Sequence, residues 1–188
     1  VIEEGITGIG SEAFSSFTET KSITMGESVK RINRMAFWAN VSLKEIKLSS
    51  NITVIQGDAL SGGRELETIK LPMRLRKMCS LSGQEKLEKI VMPDSITNMQ
   101  SAMFSECKKL KYIKLPAKIK EIKSYDFAGC KKLKKLTIPK SVKTVSMSAF
   151  AGSGLKKIVY GVNHKHLPIY KKKEKQWILN GTCIDYPG

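Results

Sequence analysis

The chain has 188 residues with 41% apolar content, enough for one substantial core, and it has no run of about 18 apolar residues of the kind that spans a membrane. Its formal charge of +16 sits almost wholly at one end, since residues 107–175 hold 20 lysines against Glu121, Asp126 and Glu174. Every arginine lies at or before Arg76, so the basic end lacks the side chain best suited to gripping phosphate, which weighs against a nucleic-acid partner.

Val1 and Ile2, followed by Glu3-Glu4-Gly5, read as the strand end of a preceding, truncated turn, with the natural chain expected to continue upstream. A repeat then begins at Ile6 and restarts at Val29, Ile52, Leu75, Ile96, Ile119 and Val142, at intervals of 23 residues except for one of 21. Each turn opens with an apolar pair three apart, such as Val29/Ile32 or Ile119/Ile122. A bulky residue follows, in order Phe14, Phe37, Leu60, Leu81, Phe104, Phe127 and Phe150. A strand triplet closes the turn, as in Leu43-Ile46-Leu48 and Leu133-Leu136-Ile138, and Pro72, Pro93, Pro116 and Pro139 stop four of these strands. One such coil cannot bury its own apolar edge, so the copies must stack. Neighbouring strands then form a parallel sheet with a spacing of about 4.8 Å, and seven turns span roughly 30 Å.

The expected architecture is a β-rich solenoid over residues 1–160, with about seven 23-residue turns, a parallel sheet on one face, and short strands, turns, 3-10 or helical pieces elsewhere. Residues 161–188, where the pattern stops, are expected to form a C-terminal cap or a linker. The cap reading uses Trp177 and Leu179 to cover the last turn.

The phrases IGSEAFSSFTETKSITM, INRMAFWANVSLKEIKL and IKSYDFAGCKKLKKLTIP resemble the BspA-like leucine-rich repeat family of cell-surface proteins. The resemblance covers roughly residues 1–160 and implies a leucine-rich-repeat solenoid with its parallel sheet on the concave face. It also implies a secreted or surface-attached protein whose concave face meets its partner. Met103 and Asp126 depart from the family pattern, standing where it has a small residue before the Phe.

Little in the sequence suggests chemistry. His164 and His166 are the only histidines and lie outside the repeat, and neither a phosphate-binding loop nor a dinucleotide fingerprint is present. The reading is of a non-enzymatic chain with no cofactor. A zinc site from His164, His166 and Cys183 matches no common ligand spacing, so no metal is expected. Cys107 and Cys130 fall at one place in consecutive turns, and free buried thiols are expected rather than a bridge.

Alternation across each strand assigns two outward columns, free of packing duty. One is Ser22, Glu45, Thr68, Lys89, Tyr112, Lys135 and Lys157; the other is Thr24, Lys47, Lys70, Val91, Lys114, Thr137 and Val159. The candidate ligand-binding residues are Glu45, Lys47, Thr68, Lys70, Lys89, Tyr112, Lys114, Lys135, Thr137 and Lys157. Stacked lysines here, with Lys108, Lys109, Lys111, Lys131, Lys132 and Lys134 in the loops leading in, suggest an anionic partner. The expected function is a binding or adhesion module for a protein or glycan, with a polyanion among the candidate partners and a monomer favoured over an oligomer. The alternatives are a structural spacer between other domains or a charge-driven nucleic-acid binder.

Overall fold

In the computed structural model, residues 1–160 are described throughout, and beyond them only the backbone of three strands, 169–171, 176–179 and 182–184. In chain order the first strands are β1 (Gly8–Ile9), β2 (Ser22–Thr24), β3 (Arg31–Ile32), β4 (Glu45–Lys47), β5 (Val54–Ile55) and β6 (Thr68–Ile69). There follow β7 (Lys89–Val91), β8 (Tyr112–Lys114), β9 (Glu121–Ile122), β10 (Lys135–Ile138) and β11 (Thr144–Val145). One turn of 3-10 helix, Met147–Phe150, precedes β12 (Lys157–Tyr160). The remaining strands are β13 (Ile169–Lys171), β14 (Gln176–Leu179) and β15 (Thr182–Ile184), an antiparallel three-stranded sheet. The Trp177 and Leu179 side chains that would form the cap lie outside the described residues.

The strand triplets build a long ladder whose pairing follows the repeat interval. Ile23 lies opposite Ile46, Ile46 opposite Ile69, and Ile90 opposite Ile113. Leu136 lies opposite Ile158, 22 residues on, because the seventh turn is one residue short. The missing residue falls at Gly154, where a Cβ would run into the Lys131 carbonyl; only glycine tolerates so close an approach. The ladder also extends one position before the first complete turn. Ile2 bridges Met25 and exchanges backbone bonds with Thr24 and Gly26, both at 2.8 Å.

The expected single ladder is instead hydrogen-bonded in three segments, β2-β4-β6, β7-β8 and β10-β12. The break between β6 and β7 coincides with the 21-residue interval, where turn four is two residues short. A shortened loop changes the offset at which the next strand arrives, which disrupts ladder geometry.

The opening pairs, among the short strands expected outside the main sheet, join in a second, shorter ladder. β1, β3 and β5 pair in parallel, a bridge from Val54 to Lys77 extends them, and β9 pairs with β11. Between the two ladders the backbone takes left-handed values at Ser16, Ala39, Glu106 and Gly129, with φ of 57° to 69°. These local reversals turn amides along the stack, so Phe127 N–H donates to the Ala149 carbonyl and Gly129 N–H to that of Ala151, both at 2.8 Å. Backbone groups that a single coil would leave unpaired are thereby satisfied by the next coil.

The core runs between the ladders as columns of like residues. Ile32, Ile55, Leu75, Ile96, Ile119 and Val142 are fully buried. Phe104, Phe127 and Phe150 stack at 5.8 Å between centroids, and Phe14 stacks on Phe37 at 5.4 Å. Another column is polar in part. Asn40 Nδ2 donates to the Phe14 carbonyl at 2.8 Å and Gln84 Nε2 to that of Leu60 at 2.6 Å. The Cys107 and Cys130 thiols do the same to Leu81 and Phe104 at 3.2 and 3.1 Å. These cysteines are free and buried, as expected, but they also tie one turn to the turn before. Gly63 stands in the same column, and a Cβ there would press on the longer Gln84 side chain.

Candidate functional site

The outward columns emerge on one face because each long strand shows the burial pattern exposed–buried–exposed around its central Ile or Leu. All ten candidate residues are exposed: Glu45, Lys47, Thr68, Lys70, Lys89, Tyr112, Lys114, Lys135, Thr137 and Lys157. So are Ser22, Thr24 and Val91. Val159, the last member of its column, is half-buried rather than outward.

Register brings particular members together. Lys89 lies opposite Tyr112, and its ammonium sits 5.4 Å from the ring centroid, a cation–π contact at a half-exposed ring. Val91 lies opposite Lys114, Glu45 opposite Thr68, and Lys135 opposite Lys157. Thr68 and Lys89 meet again across a cleft of about 480 Å³ at the ladder break, lined also by Glu67, Lys86, Glu88 and Lys109. Lys47 and Lys70 share a second cleft of about 500 Å³ at the strand ends, with Leu48, Leu71, Pro72, Met73 and Arg74 in its wall.

The charge is less uniform than counting lysines suggests. Lys108 reaches Glu85 at 3.0 Å and Lys111 reaches Glu88 at 2.9 Å, so two loop lysines are matched by acids one turn earlier. Hydrogen bonds from these lysines hold both carboxyls below the usual carboxylate range. Lys114 lies 3.9 Å from Asp94. In turn six Lys123 pairs with Glu121 at 3.2 Å, but Lys131, Lys132, Lys135, Lys156 and Lys157 form no ion pair among the described residues. Lys134 donates instead to the Lys131 carbonyl at 3.0 Å. Lys47, Lys70 and Lys89 are also without an ion pair among the described residues, so unpaired positive charge runs along the face and is joined in turns six and seven by the loop lysines.

Sequence reading missed three anchoring carboxylates that share one repeat position just after the long-ladder strand. Glu4 accepts the amides of Glu27 and Ser28 at 2.6 and 3.0 Å, Glu27 accepts that of Ser50 at 2.8 Å, and Asp94 that of Ala117 at 2.8 Å. Their spacing at one repeat position is the signal that could have revealed them.

Thiol chemistry is suppressed at three cysteines, since burial pushes the Cys79 and Cys130 thiols up to about 12 and Cys107 well above its ordinary value. Among the described residues no three His, Cys, Asp or Glu side chains gather where a metal ion could sit. No helix among them is long and apolar enough to cross a membrane. The ligands considered for zinc, His164, His166 and Cys183, are outside the residues whose side chains are described. N-x-[ST] sequons stand at Asn40, Asn51 and Asn180; Asn40 is buried with its amide bonded to the Phe14 carbonyl, which closes it to modification in the folded chain.

The family described as "BspA type Leucine rich repeat region (6 copies)" matches residues 1–82 and 77–171. Among solved structures, a leucine-rich repeat protein from Bacteroides ovatus ATCC 8483 is similar at 25% identity, with a TM-score of 0.79 over 86% of this chain and 43% of its own. One from Eubacterium ventriosum ATCC 27560 shares 25% identity and a TM-score of 0.60 over 80% of this chain and 47% of its own. A T. pallidum leucine-rich repeat protein has the same fold, with a TM-score of 0.67 at 21% identity over 85% of this chain and 71% of its own. The chain thus spans less than half the length of the first two. No curated protein matches it.

Proposed function

Since the chain belongs to the BspA-type leucine-rich repeat family, we propose that it is a non-enzymatic binding module of a secreted or surface-attached protein. Its long-ladder face meets a protein or glycan that carries anionic groups. One observation carries this reading: two columns of side chains with no packing duty stand exposed in fixed register, and their lysines in turns six and seven have no carboxylate partner among the described residues. The mechanism is multivalent contact. Each lysine contributes little alone at a solvated surface, but many presented on a stiff sheet engage one extended anion without an ordering cost at each step.

The test is a glycan and extracellular-matrix array at physiological salt, with the wild type beside a variant reversing Lys47, Lys70, Lys114 and Lys135 to glutamate. Binding by the wild type and its loss in the reversal support the reading. Failure of the wild type to bind any anionic glycan or matrix protein removes the anionic partner. Equal binding by both proteins removes the ladder face as the site, and absence of binding by both leaves a structural spacer.

A further inference from the structure

We propose that the cleft at the ends of β4 and β6 receives a carboxylate from an acidic peptide segment that also bears apolar side chains. This rests on reading the long-ladder face as a binding face, and narrows it to one position and one chemistry.

The repeat supplies its own comparison. Just after the long strand, an amide of each turn is open to an acceptor from the turn before. Glu4 fills that role toward Glu27 and Ser28, Glu27 toward Ser50, and Asp94 toward Ala117. The setting favours a carboxylate: backbone amides hold the Glu4 carboxyl below its ordinary value, and the Ser50 hydroxyl and amide do so for Glu27.

At the step into turn four the acceptor position holds Ser50, and its hydroxyl is engaged with Glu27 at 2.6 Å. The amides of Met73 and Arg74, equivalent to those of Ser50 and Asn51, donate to no group among the described residues. Met73 and Arg74 both line the cleft of about 500 Å³. Lys47, Lys70 and Arg74 line the same cleft, and none forms an ion pair among the described residues. The acid in its lining, Glu27, is occupied by Ser49 and Ser50. Leu48, Leu71 and Pro72 give an apolar floor, and Met73 stands 76% exposed over it.

Open amides beside Lys70 and Arg74, with Lys47 shared with Glu27, fit a carboxylate, which gains most from charge-assisted bonds. The apolar floor and a flexible methionine fit a neighbouring aliphatic side chain, which favours a peptide over a sugar. The Asp94 and Lys140 amides also lack a carboxylate from the turn before, Met73 and Ala117 standing at the acceptor position. What sets the Met73 step apart is the cleft and its cations.

The test uses the full chain and a fluorescent, end-blocked peptide of alternating aspartate and leucine. Controls are the asparagine–leucine counterpart and a hexuronate oligosaccharide, all at about 150 mM salt. Ser50→Glu places the chain's own carboxylate at the Met73 amide, as Glu27 sits at Ser50, and leaves every cation in place. The aspartate peptide is expected to bind the wild type and Ser50→Gln, and to bind Ser50→Glu about tenfold more weakly or worse. Undiminished binding by Ser50→Glu overturns the proposal, as does equal affinity for the asparagine peptide or binding of hexuronate in place of peptide. Reversal of Lys114 and Lys135, away from this cleft, separates the two readings. If that reversal abolishes array binding while Ser50→Glu keeps the peptide, the binding face stands and this site falls.

Discussion

Asp126 is the sole buried charged residue among those described, standing where Ala36, Ala59 and Ala149 stand in other turns. Its two oxygens accept the Met103 and Lys123 amides at 3.3 and 2.7 Å, which locks the loop between turns five and six. Burial outweighs those bonds and the nearby Lys123 charge, with Glu121 adding to the effect, and pushes the carboxyl up to about 7. The folded chain therefore keeps this proton up to about pH 7, while the unfolded chain releases it near pH 4. Its contribution to stability is present below pH 4 and is lost as pH rises toward 7, an effect of at most about 4 kcal/mol. Asp126→Ala is expected to remove this slope. Measured by urea unfolding, the variant should gain on the wild type steadily between pH 4.5 and pH 7.5, and a constant difference would refute the assignment. The sequence marks Asp126 only as a departure from the small residue usual before the Phe; the raised pKa appears once the next coil covers the carboxyl.

The phenylalanine column shows how position within an element sets energy. Phe127 is fully buried between Phe104 and Phe150, whereas Phe14 at the end of the stack is half-buried beside the exposed Phe17. Truncating a ring with neighbours on both faces leaves a cavity that the solenoid cannot close without shifting whole coils. Phe127→Ala should cost about 3–5 kcal/mol, and Phe14→Ala clearly less. Equal shifts in urea midpoint for the two variants would contradict this ordering. The identity of the column was legible from spacing alone, since bulky residues recur at a fixed place in all seven turns. The second ladder was not, because two-residue strands such as β3 and β5 carry too few residues to show alternation.

For the whole molecule, the distribution of unpaired charge matters more than its sum. Lys135 and Lys157 lie directly opposite in the β10–β12 pair, with Lys134 and Lys156 beside them. Like charges at a cross-strand pair are destabilising, and opposite charges there contribute roughly 0.2–1 kcal/mol. Lys157→Glu is expected to raise the melting temperature at low ionic strength, with the gain shrinking toward zero near 1 M salt, where the screening length is about 3 Å. A salt-independent gain, or a loss, would show that flexible lysines already relieve the repulsion. A member of the binding face that costs stability is what a surface shaped for an anion would contain, so this measurement bears on function as well.

The sequence by itself determined the repeat, its 23-residue interval, the buried columns and the two outward columns. Each follows from a local rule: one coil buries the same positions as the next, and strand alternation sends the intervening residues outward. The tertiary structure decided what depends on the neighbouring coil. It showed which lysines meet an acid one turn earlier, as Lys111 meets Glu88, and which do not, as with Lys135. It also broke the ladder at the short fourth turn and left the Met73 and Arg74 amides open where Ser50 replaces a glutamate. The division has one physical cause. Periodicity fixes which way a side chain points, whereas charge pairing and amide capping depend on two residues some 23 apart that become neighbours only when the coils stack.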